Sequence, residues 1–323
     1  MTYRPQLALL CLSASFVVAG CVTESAIEPI ETTTETTVEV ANRAEYGRSL
    51  QLLDRHVAKY VFWKSQPGDD ASRERYVERS AAVSLVRLFQ DQLIASAGDS
   101  SDLGRQRIAA AALAFSTEPQ AVSTLTSLLD RRGDTRLMVN ATFALAELRK
   151  ASTAAQPLID MLSHPDADVR NNALLALRNT MEARRVTGAL ALEPTQRAEA
   201  IPMIEAALFE PGDAQIRGHA AACLGTLRDP NSVEPLLNLL PDPDPFVRTR
   251  TALALGNIGD ARAITGLVAV IDETPRGTPR SAVTTALAVI VERTGRTIPP
   301  YIEQTERAWM TFLKERMMGT DER

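Results

Sequence analysis

The sequence predicts an all-α fold, an α-solenoid (superhelix) of about six helical-hairpin repeats with helical caps. Three observations predict it. One leucine recurs as Leu113, Leu145, Leu177, Leu224, Leu255 and Leu287, at intervals of 32, 32, 47, 31 and 32 residues. Eleven residues before the first five stands an aspartate: Asp102, Asp134, Asp166, Asp213 and Asp244. The residue just before each leucine is small: Ala112, Ala144, Ala176, Cys223, Ala254 and Ala286. Self-similarity at a fixed period of this size is the mark of a stacked array, in which each unit buries its apolar face against the next. Apolar residues make up 45% of the chain but aromatics only 5%, so the core is built from small and aliphatic side chains on closely packed helices.

Within one unit the aspartate comes first. Its carboxylate suits the N-cap, where it accepts from the free N–H groups of the first turn and meets the positive end of the helix dipole. Asp244-Pro245 adds proline at the first helical position, where no N–H is missed. The leucine and its small neighbours share a helical face, as in Ala220, Cys223 and Leu224. A break follows, at Gly256 and Gly259 in the fifth unit and Asp229-Pro230 in the fourth. A second amphipathic helix then brings Leu129, Leu162, Leu208, Leu240 or Ile271 into the core. An arginine stands seven residues before each of the last four leucines, at Arg170, Arg217, Arg248 and Arg280; the first two units carry Gln106 and Met138 instead. The 47-residue interval holds an insertion near 179–195, read as a longer helix and loop.

The segments PDADVRNNALLAL (165–177) and PDPFVRTRTALALGNIGD (243–260) resemble the HEAT-repeat family, in the short form found in bilin-lyase-like proteins. The resemblance covers about residues 98–293. It implies that Asp166, Arg170, Asp213, Arg217, Asp244 and Arg248 are structural, forming ladders between repeats. With Gln106 and Met138 at the front, such a ladder is expected to be incomplete there.

The flanks complete the plan. Residues 44–97 are expected to form an N-terminal helical cap or a degenerate repeat. Leu50, Leu53, Val57, Tyr60 and Val61 lie on one stripe, and a second helix spans 71–96 with Val83, Val86, Phe89 and Leu93. Residues 294–323 are expected to close the far end with a helix bearing Ile302, Trp309, Phe312, Leu313 and Met317. Trp63 and Trp309 are read as core or cap residues.

Residues 1–20 combine Arg4, an apolar run from Leu7 to Val18, and the small residues Ala19 and Gly20. This is the pattern of a signal peptide and is short for a membrane span. Val18-Ala19-Gly20-Cys21 resembles the bacterial lipobox, which implies acylation of Cys21 and a palmitate-bearing lipoprotein. The alternatives are an ordinary secretory signal or an uncleaved anchor. Val22 after the cysteine implies, by the same resemblance, the outer membrane facing the periplasm. Residues 21–43 are rich in Thr and Glu and lack an apolar stripe, so they are expected to form a flexible tether.

The chemistry of catalysis is not legible. The three histidines, His56, His164 and His219, are each followed by a residue other than glutamate. The chain contains no H-E-x-x-H, paired C-x-x-C, G-x-S-x-G, Walker loop or G-x-G-x-x-G. No metal, cofactor or catalytic residue is expected. His219 shares its register with Ile108, Asn140, Asn172, Arg250 and Ala282, a position so variable that it reads as a solvated edge. Cys223 stands where the other units have alanine and reads as a buried small residue. Net charge is −5, which disfavours nucleic acid as a partner. The expected role is a protein or peptide scaffold of the cell envelope, held to the membrane through its lipid. Docking is expected along the second helices at Gln156, Asp160, Glu234, Asn238 and Thr265. A bilin-lyase-type enzyme and a mechanical or assembly element of the envelope are the alternatives.

Overall fold

The computed structural model describes residues 32–130, 133–271 and 278–295, and among these every regular element is helical. The chain divides into two compact units, Met1–Ala44 and Glu45–Arg323. The described part of the first is the opening of helix α1 (Thr32–Ser65). The expected tether therefore ends earlier than position 43. Its last residues are poor helix formers, but extending an existing helix costs far less than nucleating one, because each added residue gains a hydrogen bond.

In the second unit, α1 continues with Tyr46, Leu50, Leu53, Val57 and Tyr60 buried. Their alternating spacing of four and three makes a narrow seam. Val61 was expected on that stripe but is 44% exposed, because it lies a further 100° round the helix, past the seam's edge. The expected single helix over 71–96 is two helices, α2 (Asp69–Leu88) and α3 (Gln90–Gly98), broken at Phe89. Phe89 packs its ring on Tyr46, and the Tyr46 hydroxyl donates to Gln92 O or Ser96 Oγ of α3. The break lets Val86 of α2 and Leu93 and Ala97 of α3 be buried along different directions.

The repeats follow. The first helices are α4 (Leu103–Ala112), α6 (Thr135–Leu148), α8 (Ala167–Val186), α10 (Ala214–Leu227), α12 (Pro245–Ile258) and α14 (Thr278–Thr294). The second helices are α5 (Pro119–Leu128), α7 (Ala155–Asp160), α9 (Pro194–Ala207), α11 (Val233–Leu239) and α13 (Ala263–Ile271). All five aspartates cap as their position demands. Asp102, Asp134, Asp166, Asp213 and Asp244 accept from backbone N–H groups two or three residues on, at 2.8–3.1 Å. Each such cap is worth about 1 kcal/mol.

The recurrent leucines and their small neighbours are buried in every unit. They form one layer in which α4, α6, α8, α10, α12 and α14 pack in succession. The second helices form another layer, each packed on the first helix of the following unit. The first layer is the tighter. A Cβ on Gly225 of α10 would lie 2.6 Å from Ala254 Cα of α12, and one on Gly256 would lie 2.8 Å from Ala286 Cα of α14. Glycine at these two places lets the backbones of neighbouring first helices meet directly.

The insertion is a longer helix and loop, as expected from the 47-residue interval. α8 runs 20 residues against 14 in α10 and α12. Arg184 pins the loop by donating to Ala151 O, Thr153 O and Ala191 O at 2.9–3.2 Å. The expected closing helix with Trp309 lies outside the described residues, as do the signal segment and Cys21. No helix among the described residues is long and apolar enough to cross a membrane.

Candidate partner-binding face

Two lines of side chains tie the repeats together. The first is the arginine ladder. Arg170 Nη1 donates to His164 O and Pro165 O, bracing the loop before its own helix, and Nη2 reaches Glu210 Oε1 at 2.7 Å. Arg217 donates through Nε and Nη2 to both oxygens of Asp242, at 2.8 and 3.1 Å, and through Nη1 to Glu210 O. Arg248 braces Asp242 O and Pro243 O. The carboxylates across the ladder from Arg170 and Arg217 are therefore Glu210 and Asp242 rather than the capping aspartates. The front end differs from expectation as well. Arg107 reaches Asp134 at 2.8 Å, while its neighbour Gln106 is buried and donates to Ala97 O. The ladder begins one residue along from the place where the arginine is missing.

Burial alone would raise the carboxyl of Asp242, but the guanidinium of Arg217 and the N–H of Asp244 hold it below the usual carboxylate range. The same contacts, led by the hydrogen bond to Asp242, hold Arg217 more firmly protonated.

The second line runs through the register that holds Asn140, Asn172, His219 and Arg250. It was expected to be a solvated edge; the structure places it between neighbouring first helices. Asn140 Nδ2 donates to Arg107 O at 2.9 Å, and Asn172 Nδ2 to Val139 O at 3.4 Å. His219 is 8% exposed, with Nδ1 2.7 Å from Asn171 Oδ1. An amide oxygen only accepts, so Nδ1 carries the hydrogen. Burial, then the nearby cations Arg250, Arg178 and Lys64, push the imidazole down to about 4, so it is neutral at ordinary pH. Its ring stands edge-on to Phe246 at 5.7 Å.

Around His219 the first helices make a trough. Every residue of α10 from Gly218 to Leu227 is buried, and most are small. Leu175, Arg178 and Glu182 stand on α8 at helical spacing, and Phe246, Arg250 and Leu253 on α12; all are half-buried. Arg178 pairs with Glu182 at 2.8 Å. Arg250 lies over the Phe246 ring at 5.2 Å. Further along, Glu147 of α6 accepts from Lys64 and from the Tyr60 hydroxyl. Cys223, fully buried in the trough's floor, donates to Leu174 O at 3.2 Å, and burial pushes its thiol up to about 12. It is a packing residue, not a nucleophile.

The residues expected to dock a partner along the second helices divide. Glu234, Asn238 and Thr265 are exposed on α11 and α13. Gln156 and Asp160 are half-buried and bonded to each other, and Gln156 also donates to Glu199 of α9. Asn238 borders an open depression of about 790 Å³ that includes Phe209, Pro211, Pro243 and Pro245. The structure does not join these five residues into one site. Among the described residues no group of three or more His, Cys, Asp or Glu is placed to hold a metal ion.

A HEAT-repeat family model matches residues 90–178 and 201–288, more than half of the chain. The chain belongs to the HEAT-repeat family. A comparison with curated proteins returned no match. Among solved structures this HEAT-repeat protein is similar to an engineered protein, at 19% identity over 72% of this chain and 67% of the other, with a TM-score of 0.50. It is also similar to computationally designed armadillo repeat proteins for modular peptide recognition, at 18% identity over 61% of this chain and 98% of theirs, TM-score 0.47. A third is a designed armadillo repeat protein in complex with the peptide (KR)4, at 16% identity over 62% and 98%, TM-score 0.48. These likenesses concern the fold of the HEAT array and not the identity of anything it binds.

Proposed function

We propose that this HEAT-repeat protein is a non-enzymatic scaffold that binds a partner protein of the bacterial cell envelope and is held to the membrane by lipid on Cys21. The observation that carries the reading is the trough over α10. Half-buried Arg178, Glu182, Phe246 and Arg250 flank a row of small residues, with the Phe246 ring packed on Gly218 and His219. Its one thiol and its one imidazole are buried and locked by hydrogen bonds. Such a face offers shape, charge and an aromatic anchor, which suits recognition of an extended segment or a helix. The exposed Glu234, Asn238 and Thr265 supply a second, more polar surface on the other layer. The anchor is supported by the charge, apolar run, small residues and cysteine of residues 1–21. An acylated cysteine adds ~0.8 kcal/mol of membrane affinity per buried CH₂, so several chains hold durably.

Metabolic labelling with palmitate tests the anchor. Label is expected on the wild type and not on Cys21→Ser, which should leave the membrane fraction; equal labelling of both would refute it. In-cell crosslinking with mass spectrometry tests the scaffold. A reproducible envelope protein is expected, and recovery of lipid and bulk porins alone would refute it.

A further inference from the structure

The register that ties the repeats together changes character at Arg250. In three successive units its side chain is satisfied by the preceding repeat: Asn140 by Arg107 O, Asn172 by Val139 O, and His219 by Asn171 Oδ1. In the next unit Arg250 occupies the same place, half-buried over Phe246, yet its five N–H donors meet no acceptor among the described residues. Glu182, the carboxylate whose charge acts on Arg250, is taken by Arg178. The trough thus holds an aromatic-backed guanidinium with no acceptor. Of the charges here, Lys64 is paired with Glu147, Arg178 with Glu182, and Asp213 caps its own helix, so Arg250 is the cation with no carboxylate partner among the described residues. A guanidinium fork backed by an aromatic ring and partly withdrawn from water is complementary to a carboxylate, which it binds through two parallel hydrogen bonds.

We infer that Arg250 is the anchor for an aspartate or glutamate on the partner segment that docks along α8, α10 and α12, with Leu175 and Leu253 packing its flanking apolar residues. The inference rests on the scaffold reading and names the chemistry of its partner, an acidic peptide segment. Phe246 keeps the guanidinium extended over the trough. Glu182 holds Arg178 aside, so Arg250 is the cation left to bind.

The test uses the full-length protein in detergent and a fluorescent twelve-residue peptide of repeated Glu-Leu-Ser. Counterparts carry glutamine or lysine in place of glutamate. The glutamate peptide should bind, and the glutamine and lysine peptides should not. Arg250→Ala should weaken binding about tenfold or more at unchanged thermal stability, the scale expected for a charge-assisted hydrogen-bonded pair. Arg250→Lys, which keeps the charge but loses the fork, should restore part of it. Glu182→Gln, which removes a competing carboxylate, should tighten it. No binding, equal binding of the glutamate and glutamine peptides, indifference to Arg250→Ala, or displacement of the peptide by oligo(dT) as effective as by unlabelled peptide would each overturn the inference. In cells, a crosslinked partner retained by Arg250→Ala would overturn the anchor while leaving the scaffold intact. The absence of any partner would sink the scaffold itself.

Discussion

Arg217 and Asp242 form a two-pronged pair between successive repeats, Nε to Oδ2 at 2.8 Å and Nη2 to Oδ1 at 3.1 Å, with side chains only 13% and 6% exposed. The pair joins the start of α10 to the loop that launches α12. Asp242 also accepts from the N–H of Asp244, so the same carboxylate shapes the turn that presents the next cap.

Removing one partner strands the other. Arg217→Ala or Asp242→Ala should each cost about 3–5 kcal/mol, the usual penalty for leaving a buried charge alone. The double variant should cost clearly less than the two single losses added together, because neither charge is then stranded. Chemical denaturation of the four proteins measures this. Strict additivity would contradict it.

Acid should expose the same pair. Asp242 has a folded pKa below its unfolded one, so the fold gains stability from it above the unfolded pKa and loses that stability as pH falls through the folded one. Below about pH 4 the wild type should destabilise more steeply than Asp242→Asn. Thermal midpoints across pH 2–6 check this, with parallel curves as the contrary result.

His219 acts in a higher window and in the same direction. Its imidazole is pushed down to about 4, led by burial, so stability is fully present above about pH 6.5 and falls as pH drops towards 4. The loss amounts to about 3 kcal/mol. His219→Gln should flatten stability between these pH values, and an NMR titration should show no protonation of this ring above pH 5. A ring titrating near 6.5 would contradict the buried, hydrogen-bonded placement.

The core glycines separate two effects of opposite sign. In an exposed helix, glycine to alanine stabilises by about 1 kcal/mol. Gly225→Ala should instead destabilise by about 1–3 kcal/mol, because its Cβ would meet Ala254 Cα at 2.6 Å. Gly47, with no atom within 4 Å of the added Cβ, supplies the control and should show the stabilising sign. Urea unfolding distinguishes them.

What was legible in the sequence was what is local or strictly periodic. An N-cap depends on its own next three residues, so Asp102 through Asp244 could be placed by spacing alone. The leucines and their small neighbours report a helical face, which fixes burial without knowledge of the partner. The ladder's acceptors were not legible. Whether Arg217 meets the capping Asp244 or Asp242 depends on how the loop turns at Pro241 and Pro243, which spacing does not encode. The register of Asn140, Asn172, His219 and Arg250 looked variable because unlike side chains meet the same need by reaching different acceptors. Only the positions of Arg107 O, Val139 O and Asn171 Oδ1 show that three of them are satisfied. Docking residues read from the second helices scatter over that layer, because exposure alone does not gather side chains into a site. At Phe89, two apolar stripes of similar strength concealed a change of direction.

The most direct measurement of the central claim is photocrosslinking in cells from single positions on the two layers of the array. A photoreactive residue at Asn257, exposed on α12 beside the trough, is expected to capture one discrete envelope protein. The same residue at Gln120, exposed on α5, is expected to capture none. Identical products from both positions, or no protein product from Asn257, would contradict a partner-binding face on the first helices.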